Sequence, residues 1–266
     1  MDIINKFLAF ENKNYFLKKI QKKIARVFNI YFIPTSLNAL PENNYSMKHD
    51  INYQKELIEK FKKTNSISSF NTYPKILEKL VILFPDKNSH FNFLDFGGEN
   101  IDFYLIIKKY YKNMNYYIHN TNEVNAIFIK LKKNENLKNF IILKDINEIK
   151  ANQYDFVNFG SVMQYVNNYK EILSDISKVS KKFIFISGTH FYNSNENKFD
   201  KLVVKQVNLL PTKFYCYFFS YDPFIKIFKD RKFSVIEKTK NTTDEINYSN
   251  FKNFSNILYT DLLLSK

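Results

Sequence analysis

Glycine is scarce in this sequence, which has four glycines in 266 residues, each following an apolar segment with the character of a β-strand. Gly97 and Gly98 follow residues 91–96, and Gly160 and Gly188 each end a further apolar run. Glycine is favoured where a backbone turns tightly or lets a ligand approach closely. If these segments are parallel strands, the glycines mark the rim at the carboxyl ends, where open α/β sheets bind their ligands.

Cysteine is scarcer still, and its scarcity limits the chemistry and the compartment. The only cysteine is Cys216, which excludes an intrachain disulfide and a zinc site built on cysteines. A reducing, cytoplasmic location is expected. The aromatic surroundings of Cys216 predict a buried small hydrophobe rather than a nucleophile.

Long apolar runs are also missing. No segment approaches the roughly 20 residues that span a bilayer, so we expect no transmembrane segment. Asp2, Lys6 and Glu11 interrupt any hydrophobic region near the N-terminus, which argues against a signal peptide.

Arginine is rare although the chain is strongly basic, with 40 Lys+Arg against 26 Asp+Glu and a net charge of +14. Only Arg26 and Arg231 are arginines, whereas base and bidentate phosphate contacts favour arginine over lysine. We therefore interpret most lysines as a solvated surface and do not favour a nucleic-acid partner. Residues 1–33 have helical apolar spacing with interspersed cations. This predicts one or two helices, packed on the main domain or resting on an anionic membrane as a peripheral contact.

Strand-like and helical segments alternate through the rest of the chain. The predicted strands are residues 91–96, 115–119, 140–143, 154–159, 183–187, 233–238 and 257–264. The predicted helices are residues 54–63, 74–84, 101–111, 123–132, 169–179 and 223–228. This alternation predicts an α/β fold with a doubly wound, mostly parallel seven-stranded sheet. The last two strands need no helix between them and predict a terminal antiparallel hairpin. Residues 1–70 are predicted to form an N-terminal helical extension and residues 71–266 an α/β domain.

An Asp-x-Gly-Gly turn, residues 95–98, ends the strand at 91–96. It lacks the third glycine of a dinucleotide fingerprint and the Gly-Lys-Ser/Thr of a phosphate-binding loop, and a simple strand-to-helix turn is the alternative. With the alternating core and final hairpin, the sequence resembles class I S-adenosylmethionine-dependent methyltransferases, which have a Rossmann-like fold. More narrowly, residues 94–98, 154–165 and 204–220 resemble a methyltransferase family associated with bacterial surface-polysaccharide genes.

The resemblance implies S-adenosyl-L-methionine as cofactor. The cofactor-binding residues that it implies are Asp95, Gly97, Gly98, Asn100, Asn120, Asp145, Phe159, Gly160 and Ser161. The family pattern expects an acid for the ribose hydroxyls after the second strand, where Asn120 stands instead, with Glu123 close enough to substitute. Asp145 suits the position that contacts the adenine amino group.

The acceptor side is predicted from the segments that follow the later strands. His190 is the best-placed general base because histidine titrates in the useful range, although a polar loop residue is the alternative interpretation. Tyr165 is a second catalytic candidate, or a core aromatic. The predicted acceptor-binding residues are Gln164, Gln206 and Tyr215. No metal site is expected, because no cluster has ligand spacing.

The sequence thus predicts a cytoplasmic methyltransferase that methylates a sugar or another small acceptor, at oxygen, in surface-polysaccharide biosynthesis. Two alternatives stay open. One is a catalytically inactive, methyltransferase-like binding or assembly module, favoured by the missing ribose acid. The other is a nucleic-acid methyltransferase. The sequence argues against it, because no Asn-Pro-Pro-Tyr-like motif follows residues 154–159.

Overall fold

The computed structural model describes residues 2–11, 14–41, 51–64, 74–193, 199–208, 214–241, 246–251, 254 and 256–266. The helices are α1 (Asp2–Ala9), α2 (Tyr15–Val27), α3 (Ile51–Thr64), α4 (Pro74–Leu83), α5 (Ile101–Tyr110), α6 (Asn122–Asn134), α7 (Ile146–Lys150), α8 (Tyr169–Val179) and α9 (Tyr221–Lys229), with a 3-10 turn at Met163–Tyr165. The strands are β1 (Phe32–Pro34), β2 (Asn92–Phe96), β3 (Asn115–His119), β4 (Phe140–Leu143), β5 (Tyr154–Gly160), β6 (Ser180–Tyr192), β7 (Lys201–Gln206), β8 (Phe214–Ser220), β9 (Ser234–Lys240) and β10 (Leu258–Ser265).

The fold is mixed α/β with a mostly parallel central sheet, as the sequence predicts. In the described ranges all seven predicted strands are present, and β1, β7 and β8 join them. The final hairpin is confirmed, since β9 and β10 pair antiparallel. None of the helices in these ranges combines the length and the apolarity needed to cross a membrane.

The chain forms two compact units that interleave in sequence. We call Lys48–Gly160 with Asp175–Phe185 the parallel-sheet unit, and Met1–Met47 with Ser161–Ser174 and Ile186–Lys266 the mixed-sheet unit. The predicted boundary near residue 70 lies outside the described residues and stays a prediction.

In the parallel-sheet unit, β2 pairs in parallel with β3 on one side and β5 on the other, and β3 pairs in parallel with β4. Phe93 and Leu94 are successive residues of β2 and both are completely buried. Successive strand residues point to opposite faces, so both faces of this strand are covered. Phe93 stacks on Tyr116 and Phe156, with ring centroids 5.2 and 5.4 Å away.

The order of the strands creates a switch point in this unit. The chain moves outward from β2 to β3 and β4 and then returns to place β5 on the other side of β2. Ligands of open α/β sheets bind in the crevice outside the carboxyl ends of the strands at such a point. Gly97 and Gly98 lie in the turn that follows β2, and Gly160 is the last residue of β5.

In the mixed-sheet unit, β7 pairs antiparallel with β1 and β8, and β8 pairs in parallel with the end of β6. The predicted end of β6 at residue 187 is wrong, because the strand continues to Tyr192. Gly188 interrupts the apolar pattern, but Phe191 and Tyr192 still pair with Phe219 and Ser220 of β8.

Candidate functional site

The turn after β2 is built around its two glycines. Gly97 has φ 82°, a left-handed conformation that favours glycine, and its N–H donates to the carbonyl of His119 over 2.7 Å. A Cβ on Gly98 would lie 2.2 Å from Oδ2 of Asp95 and 3.1 Å from Cδ1 of Ile118. A side chain at residue 98 therefore requires the Asp95 carboxyl group to move.

Asp95 lies directly beneath this turn in a buried polar network. Its Oδ2 accepts from the Tyr116 hydroxyl over 2.5 Å, and its Oδ1 accepts from Nδ2 of Asn158 over 2.8 Å. Burial raises the pKa of Asp95 to about 6, although both hydrogen bonds act in the opposite direction. These contacts of Asp95 are those of a residue that supports the turn, and its contact with a cofactor stays a prediction.

Asn158 carries a buried hydrogen-bond acceptor. No hydrogen-bond donor in the described part of the chain contacts its Oδ1. A Cβ on Gly160 would lie 3.2 Å from its Nδ2, so the bare backbone of Gly160 lies beside this amide. A buried acceptor without a partner costs about 1–3 kcal/mol, which a ligand donor such as an ammonium group would recover.

The helix that follows the glycine turn is capped by Gln54, a residue that the sequence analysis missed. Gln54 is buried on α3; its Oε1 accepts from the N–H of Ile101, the first residue of α5, over 2.9 Å. Its Nε2 donates to the carbonyl of Glu99 over 3.0 Å and to Oδ1 of Asn100 over 3.3 Å. Asn100 itself makes no side-chain cap. The sequence offers one signal for Gln54: it is a polar residue at helical spacing from apolar residues of the same helix face, such as Leu57.

At the end of β3, Asn120 is committed to contacts within the protein. Its Nδ2 donates to the carbonyl of Gly98 over 2.8 Å, and its Oδ1 accepts from the N–H of Thr121 over 2.7 Å. Asn120 thus ties the end of β3 to the glycine turn. Glu123, in the first turn of α6, is exposed, and it makes no hydrogen bond or ion pair within the described ranges.

The turn after β4 presents Asp145 as the N-cap of α7. Its Oδ1 accepts from the N–H groups of Asn147 and Glu148 over 2.8 and 3.0 Å. Its second carboxylate oxygen has no hydrogen bond within the described ranges. Phe159 of β5 is completely buried, with its ring centroid 5.3 Å from that of Phe96. The parallel-sheet unit therefore brings together eight of the nine predicted cofactor residues, with Phe159 beneath the rim.

The ninth, Ser161, belongs to the mixed-sheet unit. It has φ 56°, and its N–H donates to the carbonyl of Ser187 over 3.1 Å. Gly188, with φ 55°, is required here because a Cβ would lie 2.2 Å from Oγ of Ser161 and 2.4 Å from the Tyr259 hydroxyl.

The predicted acceptor residues separate into two groups in the mixed-sheet unit. The Tyr165 hydroxyl donates to Oε1 of Gln206 over 3.0 Å. Gln164 is 5% exposed, and its Oε1 has no partner in the described ranges. Tyr215 instead donates to Glu11 over 2.7 Å, and burial, with this contact, raises its pKa. Strand side chains alternate between faces, and the side chain of Tyr215 reaches Glu11, which follows α1.

His190 lies inside β6 and not in a loop after it. Its ring stacks on Phe218 at 4.2 Å and 6° and lies 4.6 Å from Phe32 and 4.5 Å from Tyr259. Neither ring nitrogen has a hydrogen-bond partner among the described residues. Burial lowers the pKa of the imidazole to about 3, so His190 is neutral at physiological pH. Cys216, as predicted, is buried, and burial raises the pKa of its thiol.

A cavity of about 850 Å³ opens in the mixed-sheet unit. Its lining combines amide and hydroxyl side chains with aromatic rings, and it includes Asn38, Asn167, Thr35, Tyr169 and Phe199. Lys201 also lines the cavity, and its Nζ lies 4.1 Å from the ring centroid of Tyr217. Pockets that bind small molecules typically combine apolar walls with a few placed polar groups.

Methyltransferases are among the solved structures with a similar fold. One is coclaurine N-methyltransferase bound to N-methylheliamine and SAH, with 14% identity, coverage of 100% of this chain and 94% of that chain, and a TM-score of 0.52. Another is described as a candidate sarcosine dimethylglycine methyltransferase from Galdieria sulphuraria, with 9% identity, coverage of 72% and 84%, and a TM-score of 0.50. The chain therefore has the Rossmann-like methyltransferase fold. No protein-family model matches the sequence, and no curated protein does.

Proposed function

We propose that this chain is an S-adenosylmethionine-dependent methyltransferase. The observation that carries the proposal is the turn at the switch point between β2 and β5, where Gly97 and Gly98 lie over the Asp95 network and Asn158 offers a buried acceptor. The fold supports the same function, since methyltransferases are among the similar solved structures. Fold likeness alone does not assign a reaction, so the site carries the argument.

The residues present fit S-adenosylmethionine, whose sulfonium would supply an already activated methyl group. The Asn158 carbonyl oxygen and the open backbone at Gly160 suit the ammonium group of its methionine part. The second carboxylate oxygen of Asp145 suits the adenine amino group. Among residues that suit the ribose hydroxyls, we favour Glu123 over Asn120, because the Asn120 amide already serves Gly98 and Thr121.

For the acceptor, we propose a small hydroxylated molecule of the sugar class, methylated at oxygen. The cavity of the mixed-sheet unit supports this class, because amides and hydroxyls bind hydroxyl groups and aromatic rings pack on sugar faces. The further step to surface-polysaccharide biosynthesis rests on the resemblance of residues 94–98, 154–165 and 204–220. We place the reaction in the cytoplasm, in keeping with a single buried cysteine.

We propose that the reaction depends on positioning rather than on a strong base, since alignment alone supplies much of the acceleration of such reactions. Of the two predicted catalytic residues, we favour Tyr165, which shares a hydrogen bond with Gln206. The neutral, enclosed imidazole of His190 suits a packing role. Its role as a base stays a prediction.

A second candidate function is a binding module that has lost catalysis. The commitment of Asn120 to protein contacts, at the position where an acid is expected, favours it. Paired variants test the cofactor site itself. If Glu123 holds the ribose, Glu123→Gln weakens cofactor binding about tenfold, while Lys130→Gln, a change on the same helix α6, leaves it unaltered.

The acceptor class is tested by incubating the chain with methyl-labelled cofactor and panels of nucleotide sugars, oligosaccharides and amines. Label in hydroxylated sugars is the expected result. Label in amines alone overturns the acceptor class and leaves the methyltransferase proposal standing. Cofactor binding without label in any acceptor favours the binding module.

A further inference from the structure

The N-terminal helices present an unusual exposed surface in the mixed-sheet unit. Among the described residues, thirteen large hydrophobic side chains are exposed, and six of them fall between residues 3 and 28. These six side chains are Ile3, Phe10, Tyr15, Phe16, Val27 and Phe28. Phe16 is 67% and Val27 71% exposed. Soluble proteins scatter such residues singly, and a concentration of them indicates an interaction site.

Cations occupy the same face of α2. At 100° per residue, Lys19, Lys23 and Arg26 fall with Tyr15, Phe16 and Val27 within an arc of about 120°, and all six are exposed. The sequence of α2 has five cations and no acidic residue. The Lys19 ammonium lies 4.7 Å from the centroid of the Tyr15 ring. We call these six residues the basic aromatic face.

This face is mounted firmly and is not a loose tail. Gln21 of α2 donates to the carbonyls of Phe7 and Phe10 over 2.7 and 2.9 Å, which joins α1 to α2. Buried Lys205 of β7 donates to the carbonyl of Ala9 over 3.1 Å and so binds the C-terminal end of α1. The Tyr215 contact with Glu11 adds a further attachment. The inner side of the helices is thus used for packing, and the basic aromatic face is left outward.

We propose that the basic aromatic face docks the protein on the surface of an anionic lipid bilayer. Cations within a few residues of aromatic side chains suit this partner, because the rings enter the headgroup region while the ammonium groups meet lipid phosphates. Nucleic acid fits less well, since it would use the cations and leave Phe16 and Val27 in water. The docking surface is independent of the proposed catalytic function.

Vesicle flotation of the 266-residue chain tests the proposal, with vesicles of phosphatidylcholine compared with vesicles of a phosphatidylcholine and phosphatidylglycerol mixture. Binding to the anionic vesicles that weakens as salt rises is expected. The variant Lys19→Gln/Lys23→Gln/Arg26→Gln should bind about a hundredfold more weakly, because each cation contributes about fivefold.

The matched control is Lys130→Gln/Lys132→Gln/Lys133→Gln, which removes the same charge from exposed positions of α6. It should bind within about twofold of the parent, since the control lysines do not belong to the basic aromatic face. Equal losses in the two triple variants, equal binding to neutral vesicles, or binding to duplex nucleic acid without vesicle binding would each overturn the proposal.

Insertion of the aromatic residues has its own readout. The chain has no tryptophan, so Phe16→Trp introduces a single reporter whose emission should shift to the blue on anionic vesicles. Tyr53→Trp, at an exposed position of α3, should show no shift. Unshifted emission from the Phe16→Trp variant, in protein that floats with the vesicles, would contradict insertion of this face.

Discussion

Replacing Asp95 with asparagine should make the free energy of unfolding less sensitive to rising pH. Asp95 is buried, and its pKa is raised from 3.8 to about 6 because desolvation outweighs the hydrogen bonds from Tyr116 and Asn158. A carboxyl group whose folded pKa is raised contributes stability that is complete below its unfolded pKa. That stability is lost as the pH rises through the folded pKa. In the parent chain, ionisation of Asp95 therefore destabilises the fold.

The size of the effect follows from the two pKa values. The rise of the Asp95 pKa from 3.8 to about 6 corresponds to about 3 kcal/mol, of which about 2.4 kcal/mol falls between pH 4 and pH 7.5. Asp95→Asn keeps the shape of the side chain and cannot ionise. The free energy of unfolding of the variant, relative to that of the parent, should therefore rise by about 2.4 kcal/mol over this interval.

Urea unfolding followed by far-UV circular dichroism, at a series of pH values, measures this difference directly. Asp222→Asn removes an exposed carboxylate and should stay within about 0.5 kcal/mol of the parent throughout. A difference between the Asp95 variant and the parent that does not change with pH would refute the reasoning. A difference that falls as the pH rises would show that the hydrogen bonds dominate over desolvation.

Three further changes test individual contacts. Gly98→Ala should cost about 1–3 kcal/mol in the free energy of unfolding, because its Cβ would displace Asp95. Gly160→Ala should cost under about 1 kcal/mol, because its Cβ would lie 3.2 Å from the Asn158 amide. His190→Phe should raise the melting temperature and keep methyl transfer, since it removes two buried nitrogens without partners among the described residues. An activity loss of about a hundredfold or more at unchanged stability would instead support His190 as the general base. Gln54→Ala should weaken cofactor binding roughly fivefold, because it removes a cap that costs about 1 kcal/mol to lose. Gln54→Glu, which keeps the acceptor, should weaken binding less. Equal binding by the parent and both variants would contradict a positioning role.

The main architecture could be predicted because its signals are local. Apolar runs that end in glycine predicted β2 and β5, and the lack of a helix between the last two strands predicted their hairpin. The edge strand β1 and its neighbour β7 were missed. They are short or mixed in polarity, and their pairing joins residues far apart in the sequence, such as Phe32 and Gln206.

The individual contacts of the site could not be predicted because they depend on packing between distant residues. The sequence placed Asn120 at the correct strand end but did not show that its amide binds the carbonyl of Gly98. It placed His190 two residues after Gly188. It did not show that β6 continues past His190, or that the imidazole lies in an aromatic cluster. It did not indicate the contact of Tyr215, whose partner Glu11 is 204 residues away.

Isothermal titration calorimetry of the 266-residue chain with S-adenosylmethionine tests the central claim most directly. We expect one saturable site that S-adenosylhomocysteine also occupies, with the Asn158→Leu variant binding more weakly because it lacks the buried acceptor. ATP should not bind, since the turn at residues 95–98 lacks the sequence of a phosphate-binding loop. An absence of binding heat with both S-adenosylmethionine and S-adenosylhomocysteine, in protein that circular dichroism shows to be folded, would contradict the account.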